Sequence, residues 1–226
     1  MISTRDLSKL PDIDGLKRLM QSMAMLDAIL SPKWESRYYS FNSKWANGEQ
    51  MGSMRNGQGD DLHSLFTKHG CFLKGFDHES QMSPYRDEEE AQWPGLIETV
   101  PNSFDRGLNQ PAFSMENTTF CIWRQYGDDR WHRSDITFPE VKLRFDGTPR
   151  DPDGSEWLLS PYDGMPETYL DFAKRYFSRS KTLTLAYVRH VYDQHPLTAE
   201  LVEQINPELS LADLSDDLVE IGYRQS

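Results

Sequence analysis

Cysteine is nearly absent: of 226 residues only Cys71 and Cys121 carry a thiol, which excludes a disulfide scaffold. Both sit in apolar, strand-like runs, CFLKGF and TFCIW, with no Cys or His at zinc-ligand spacing, and they read as buried free thiols. Long apolar runs are missing as well. The greasiest stretch, 16–30, is interrupted by Lys17, Arg18, Gln21, Ser22 and Asp27, short of the roughly 18 apolar residues that a membrane-spanning helix needs. A soluble protein with no membrane association is expected. Positive charge is scarce: 24 Lys plus Arg face 36 Asp plus Glu, a net charge of -12. Neutralising phosphates takes clustered Lys and Arg, so nucleic acid and anionic lipid are poor partners, while a basic protein partner stays open. The opening MISTRDLSKLPDIDG mixes acid and base without an apolar segment and does not read as a secretory signal, so the cytoplasm is the expected compartment.

Catalytic signatures are missing too, and each absence removes a chemistry. His78-Glu79 has no second His one helical turn on and no Pro-Cys-x-x-Cys beside it, so zinc hydrolysis loses its sequence support. Gly57-Gln58-Gly59 lacks the third glycine of a dinucleotide turn, and no glycine loop is followed by Gly-Lys-Ser/Thr, which argues against NAD and ATP. Ser53 lacks the flanking glycines of a nucleophile elbow, and Cys71 has no adjacent base. Asp151, Asp153 and Gly154 resemble the middle of a calcium loop, yet Pro149 and Ser160 fall where the ion needs carboxylates, so a solvated turn is expected. His190 and His195, five apart, miss the helical metal spacing and read as a helix face and a helix end. No metal set is assigned and the cofactor is unknown.

What is present is material for a packed interior: 37% hydrophobic and 12% aromatic residues exclude disorder of the whole chain. Leu16, Leu19, Met20, Met23, Leu26 and Leu30 follow the spacing of one helix face, with the methionines as core filler. Tyr39, Phe41 and Trp45 share one side of a period-two strand. A turn at Asn47-Gly48 precedes a hairpin over 62–67 and 71–76, and a second hairpin is expected over 118–125 and 130–138. Between them, 77–112 is irregular apart from a short helix at 102–108; long loops that stay ordered tend to have a job. Pro166 and Glu167 suit a first helical turn, Tyr169, Phe172, Ala173, Tyr176 and Phe177 its apolar face, and Thr198 and Ser215 are candidate N-caps. The aromatics Tyr38, Tyr39, Trp45, Trp123 and Trp131 read as core and sheet-face residues. The expected fold is α+β: one domain over 1–226, with an amino-terminal helix in 1–35, a curved antiparallel sheet of two hairpins in 36–138, and carboxy-terminal helices in 139–226.

Polar residues concentrate in SMRNGQGDD and GFDHESQMSPY, at the two ends of the first hairpin. A hairpin brings its ends together, which places Arg55, Asn56, Asp60 and Asp61 near Asp77, His78 and Glu79. His78 beside carboxylates suits a general base or a ligand, so the catalytic candidates are His78, Asp77, Glu79 and Asp60; the binding candidates are Arg55, Asn56, Asp60, Asp61 and Ser80. The competing expectation is that these groups cap loop backbones and pair with one another, with His78 partly buried as a bridge between the two loops. YYSFNSKW, EQMGSMRNGQGD, GFDHESQMSPY and the closing HPLTAELVEQINPELSLADLSDDLVEIGY resemble a family of bacterial soluble proteins of uncharacterised activity, over nearly the whole chain. The resemblance implies a single domain and adds interest to Arg55, Asn56, Asp60, Asp77, His78, Glu79 and Ser80, but it carries no substrate. The leading functional expectation is a noncatalytic protein-binding module, in one version an immunity-like inhibitor of a basic toxin by analogy of fold class and charge. The alternative is a small hydrolase built around Asp77, His78 and Glu79, with or without metal assistance. An exposed sheet edge would favour a dimer.

Overall fold

Asp12 caps the first helix: its carboxylate accepts the Gly15 N–H at 2.7 Å and starts α1 (Ile13–Leu30). The computed structural model describes residues 1–88, 90–143, 145–178 and 180–224. The apolar face expected of α1 is buried, Met20 and Met23 included. Of the polar residues that interrupt its greasy run, Gln21, Ser22 and Asp27 are buried with it and become anchors: Gln21 Nε2 donates to the Ile221 carbonyl at 2.9 Å and the Ser22 hydroxyl to that of Val191 at 3.0 Å. The helix is therefore covered on several sides.

The described residues form one open six-stranded antiparallel sheet in sequence order: β1 (Tyr39–Ala46), β2 (Glu49–Arg55), β3 (Asp61–Thr67), β4 (Gly70–Phe76), β5 (Phe120–Gln125) and β6 (His132–Arg133). Two-residue turns at Asn47-Gly48 and Lys68-His69 set the register of the first and third pairings. Gly70, at φ 145°, lies beside β5 so closely that a Cβ there would sit 2.1 Å from the Arg124 carbonyl oxygen. Both faces of the sheet are covered. Tyr39, Phe41, Met54, Leu62, Phe66, Leu73 and Ile122 join the core built with α1, while Leu65, Phe72, Cys121 and Trp123 pack on the other face against Val100, Phe104 and Phe113. The irregular region thus supplies a second layer, with α2 (Asp105–Leu108) preceded by a 3₁₀ turn at Asn102–Phe104. Double coverage explains why every residue of β4 is buried, Lys74 included, and why the rest of its sequence is apolar. Both cysteines are free and buried, as expected.

The remaining helices are α3 (Ser155–Leu159), α4 (Pro166–Tyr176), α5 (Leu185–Tyr192), α6 (Ala199–Ile205) and α7 (Ser215–Ile221). Thr198 caps α6, and His190 lies on α5 with His195 beyond its end.

Several expectations are corrected. Trp45 packs on the face opposite Tyr39 and Phe41, because the β1–β2 register shifts between Asn42 and Ala46 and reverses the alternation. The return arm of the last hairpin is two residues long, since Ser134 donates its hydroxyl to the Leu96 carbonyl and Asp135 its amide to Thr99 Oγ1, which draws the chain to the loop layer. Ser215 is already helical and caps nothing; Ser210 and Asp213 bond each other reciprocally one turn earlier. The segment around Asp151 and Asp153 is not a solvated turn. Asp153 is fully buried, accepts the hydroxyls of Thr4 and Ser155, and with the Arg5–Asp151 ion pair at 3.0 Å ties residues 4 and 5 to the start of α3.

Asp27, in α1, is wholly buried. Its Oδ2 accepts the Tyr38 and Tyr39 amides at 2.8 Å each, and its Oδ1 accepts the Tyr169 hydroxyl at 2.6 Å. Burial pushes its carboxyl up to about 7 from 3.8, against the pull of those three bonds. A carboxyl raised in the folded state stabilises fully below its unfolded pKa, and that contribution is lost as pH rises through the folded value. Asp27→Asn keeps all three bonds, with the amide oxygen accepting both N–H groups and the NH₂ donating to Tyr169. Urea denaturation of both proteins at pH 4 and pH 8 should show the wild type losing stability relative to Asp27→Asn, on the order of 4 kcal/mol across that range. Parallel curves would exclude the linkage.

Candidate functional site

Asn56 shapes the β2–β3 connection. Its side-chain oxygen accepts the amides of Gln58 at 2.8 Å and Asp60 at 3.1 Å, closing a loop that delivers Asp60 to the end of the sheet with only 8% of its surface exposed. Asp60 Oδ2 accepts the Asn56 amide, and Oδ1 accepts the His78 backbone N–H at 2.9 Å and lies 2.6 Å from the His78 ring Nδ1. An ionised carboxylate only accepts, so Nδ1 carries the proton of this bond and Nε2 is left facing solvent and Glu79, 3.9 Å away.

Asp77 follows β4 directly, its amide bonded to Thr119 Oγ1 at 3.2 Å. Its Oδ1 accepts the Glu79 N–H at 2.9 Å and its Oδ2 the indole N–H of Trp157, on α3, at 3.0 Å. Gly154, at φ 74°, lets the chain pass here, because a Cβ would fall 2.2 Å from that of Asp77. Burial raises the Asp77 carboxyl, opposed by the Trp157 and Glu79 bonds. The Asp60 hydrogen bond raises the His78 imidazole, against the effect of burial.

These loops enclose a cleft of about 520 Å³. Its polar lining is Asn56, Gln58, Asp60, Asp77, His78 and Glu79; its aromatic lining is Tyr38, Trp157 and Tyr176. Tyr38 meets Tyr176 edge-on at 5.1 Å, and Tyr176 stacks on Phe172 at 5.4 Å. Asp60, Asp77 and His78 each offer a ligand atom within 4.8 Å of the others. A metal ion or a cationic group suits that donor set, and a proton can move at His78 Nε2.

Five of the expected site residues meet here: Asn56, Asp60, Asp77, His78 and Glu79. Three do not. Asp61 points to the other sheet face and pairs with the fully buried Lys74 at 2.6 Å, with His63 Nδ1 at 3.3 Å. Neighbouring residues of a strand project to opposite faces, which separates Asp61 from Asp60. Arg55 is exposed and its guanidinium stacks over Trp34 at 4.2 Å. Ser80 is buried in the turn, its amide on the Asp77 carbonyl at 3.2 Å. His78 bridges the two loops as expected, but its side chain is 41% exposed rather than partly buried. Tyr38 and Tyr176, read from the sequence as core residues, line the cleft, and Gln58 and Trp157 carried no signal of their own. Tyr39, Trp123 and Trp131 are buried.

Compared with known proteins, the chain matches no family model, no curated protein and no solved structure, so the site rests on its geometry. Among the described residues, no helix is long and apolar enough to cross a membrane.

Thermal melts rank the bonds of this cluster. His78→Ala removes one solvent-screened side-chain bond and should cost about 1 kcal/mol. Asp60→Ala strands one backbone and two side-chain donors around a buried position and should cost about 2–4 kcal/mol. Equal melting of Asp60→Ala and wild type would contradict the assignment of Asp60 as the fastening of the two loops.

Proposed function

We propose that the chain is a noncatalytic binding module of the cytoplasm whose acidic cleft receives a basic partner. One observation carries the reading: Asp60, Asp77 and Glu79 line the cleft together with three aromatic rings, and among the described residues no Lys or Arg lines it. A net charge of -12 gives the molecule a field that draws cationic partners and speeds their encounter. The hydrogen bonding also favours binding over turnover. Both oxygens of Asp60 and both of Asp77 already accept from protein donors, which holds the two carboxylates as fixed charges. Among the described residues no Ser, Thr or Cys lines the cleft to serve as a nucleophile. An immunity-like inhibitor of a basic toxin is the concrete version, supported by charge and fold class.

Affinity capture from native lysate tests this with two controls, an unrelated protein of matched charge and the Asp60→Asn/Asp77→Asn double variant. The expected result is a basic protein retained by wild type, released by added salt and lost from the double variant. If nothing is enriched over the charge-matched control, the reading fails.

The convergence of Asp60, Asp77 and His78 favours a second reading, a small hydrolase in which His78, oriented by Asp60, activates water, with or without a divalent ion. Calorimetric titration with Mg²⁺, Mn²⁺ and Zn²⁺ examines the ion-assisted form. It expects one-to-one binding that His78→Gln and Asp77→Asn each weaken at least tenfold, and an absence of heat with all three ions removes it.

A further inference from the structure

The molecule pairs arginines with aromatic rings at its surface. Arg55 lies 4.2 Å over Trp34, Arg86 4.9 Å over Trp93 and Arg133 5.1 Å over Phe138. Other exposed rings, Tyr85, Tyr126, Phe145, Trp157 and Tyr176, have no cation over them among the described residues, Trp157 and Tyr176 being 38% and 45% exposed. Both line the cleft that holds Asp60 and Asp77.

Resting on the reading of a basic partner, we infer that the cleft is a seat for one guanidinium group, an arginine side chain of that partner, stacked on Trp157 or Tyr176 and donating to Asp60 and Asp77. Three features favour this cation. The Trp157 indole is held by its N–H bond to Asp77, so an aromatic ring and a carboxylate are fixed side by side before any ligand arrives. Asp60 Oδ1 is filled by the two His78 donors, whereas Asp60 Oδ2 and both oxygens of Asp77 accept one bond each from within the protein and keep a second lone pair. A planar fork of N–H groups satisfies a ring face and carboxylate oxygens together, whereas a compact, strongly hydrated ammonium holds its water more tightly and stacks less well. Asn56 and Gln58 add neutral amides at the rim, and among the described residues no Lys or Arg lines the cleft to offset its negative charge.

The probes are capped pentapeptides, Gly-Gly-Xaa-Gly-Gly, with Xaa arginine, lysine or citrulline. They are titrated at low ionic strength into the full-length protein while the indole N–H signal of Trp157 is followed by NMR, assigned with Trp157→Phe. The expected result is a saturable shift with the arginine peptide, at least threefold weaker binding of lysine and no shift with citrulline, which has the same shape without the charge. Tyr176→Ala, which removes a half-exposed ring packed on Tyr38, Phe172 and Phe177, and Asp77→Asn should each weaken the arginine peptide at least fivefold, with unchanged amide spectra elsewhere confirming folding. Citrulline binding as well as arginine, lysine binding as well as arginine, or indifference to both variants would each overturn the guanidinium seat. Failure here is separable from failure of the broader reading: a basic protein captured equally by wild type and by Tyr176→Ala places the docking surface elsewhere and leaves the binding module standing, whereas no binding of any basic probe or partner removes both.

Discussion

Asp27 is the point where three parts of the molecule meet. Its carboxylate takes the two amides that begin β1 and the hydroxyl of Tyr169 on α4, so helix, sheet and carboxy-terminal layer are fixed by one buried group. The cleft inherits that fixing. Tyr38, whose amide is one of the three donors, lines the cleft with its ring, and Tyr176 sits on α4 two turns beyond Tyr169. Burying a carboxyl that titrates near 7 is costly, yet replacing it by an apolar residue would leave two amides and a hydroxyl without partners. The apolar interior is organised around a polar necessity.

The fold was legible where local pattern and tertiary packing agree. The spacing of Leu16, Leu19, Met20, Met23 and Leu26 marks α1, and the run from Cys71 to Phe76, apolar but for Lys74, marks β4, because burial dictates most of each. It was illegible where a long-range contact overrides a local rule. A register irregularity turns Trp45 to the other face, and hydrogen bonds to Leu96 and Thr99 pull the chain out of the sheet after Arg133. Asp151 and Asp153 have turn-like neighbours in sequence and a buried environment in space, set by Thr4 and Arg5 from the far end of the chain. Composition does not report such a partner.

The candidate site divides the same way. Hairpin geometry was enough to bring Asn56 and Asp60 to Asp77, His78 and Glu79, since those residues flank two paired strands. The aromatic wall was out of reach, because Trp157 and Tyr176 arrive from helices 80 to 100 positions on and no motif links them to the hairpin. Asp60 and Asp61 look interchangeable in sequence, but the strand pleat gives one to the cleft and the other to the interior.

That second carboxylate shapes how this sequence can drift. Lys74, with no exposed surface, rests on Asp61 at 2.6 Å beneath the loop layer. Removing either partner strands the other charge in the interior, on the order of 3–5 kcal/mol and a large share of an ordinary domain's stability, whereas exchanging both for apolar residues of similar volume can be neutral or better. Positions 61 and 74 are therefore bound in inheritance as well as in space: across diverged copies of this fold they should change together or not at all, a correlated pair at the boundary between sheet and loop.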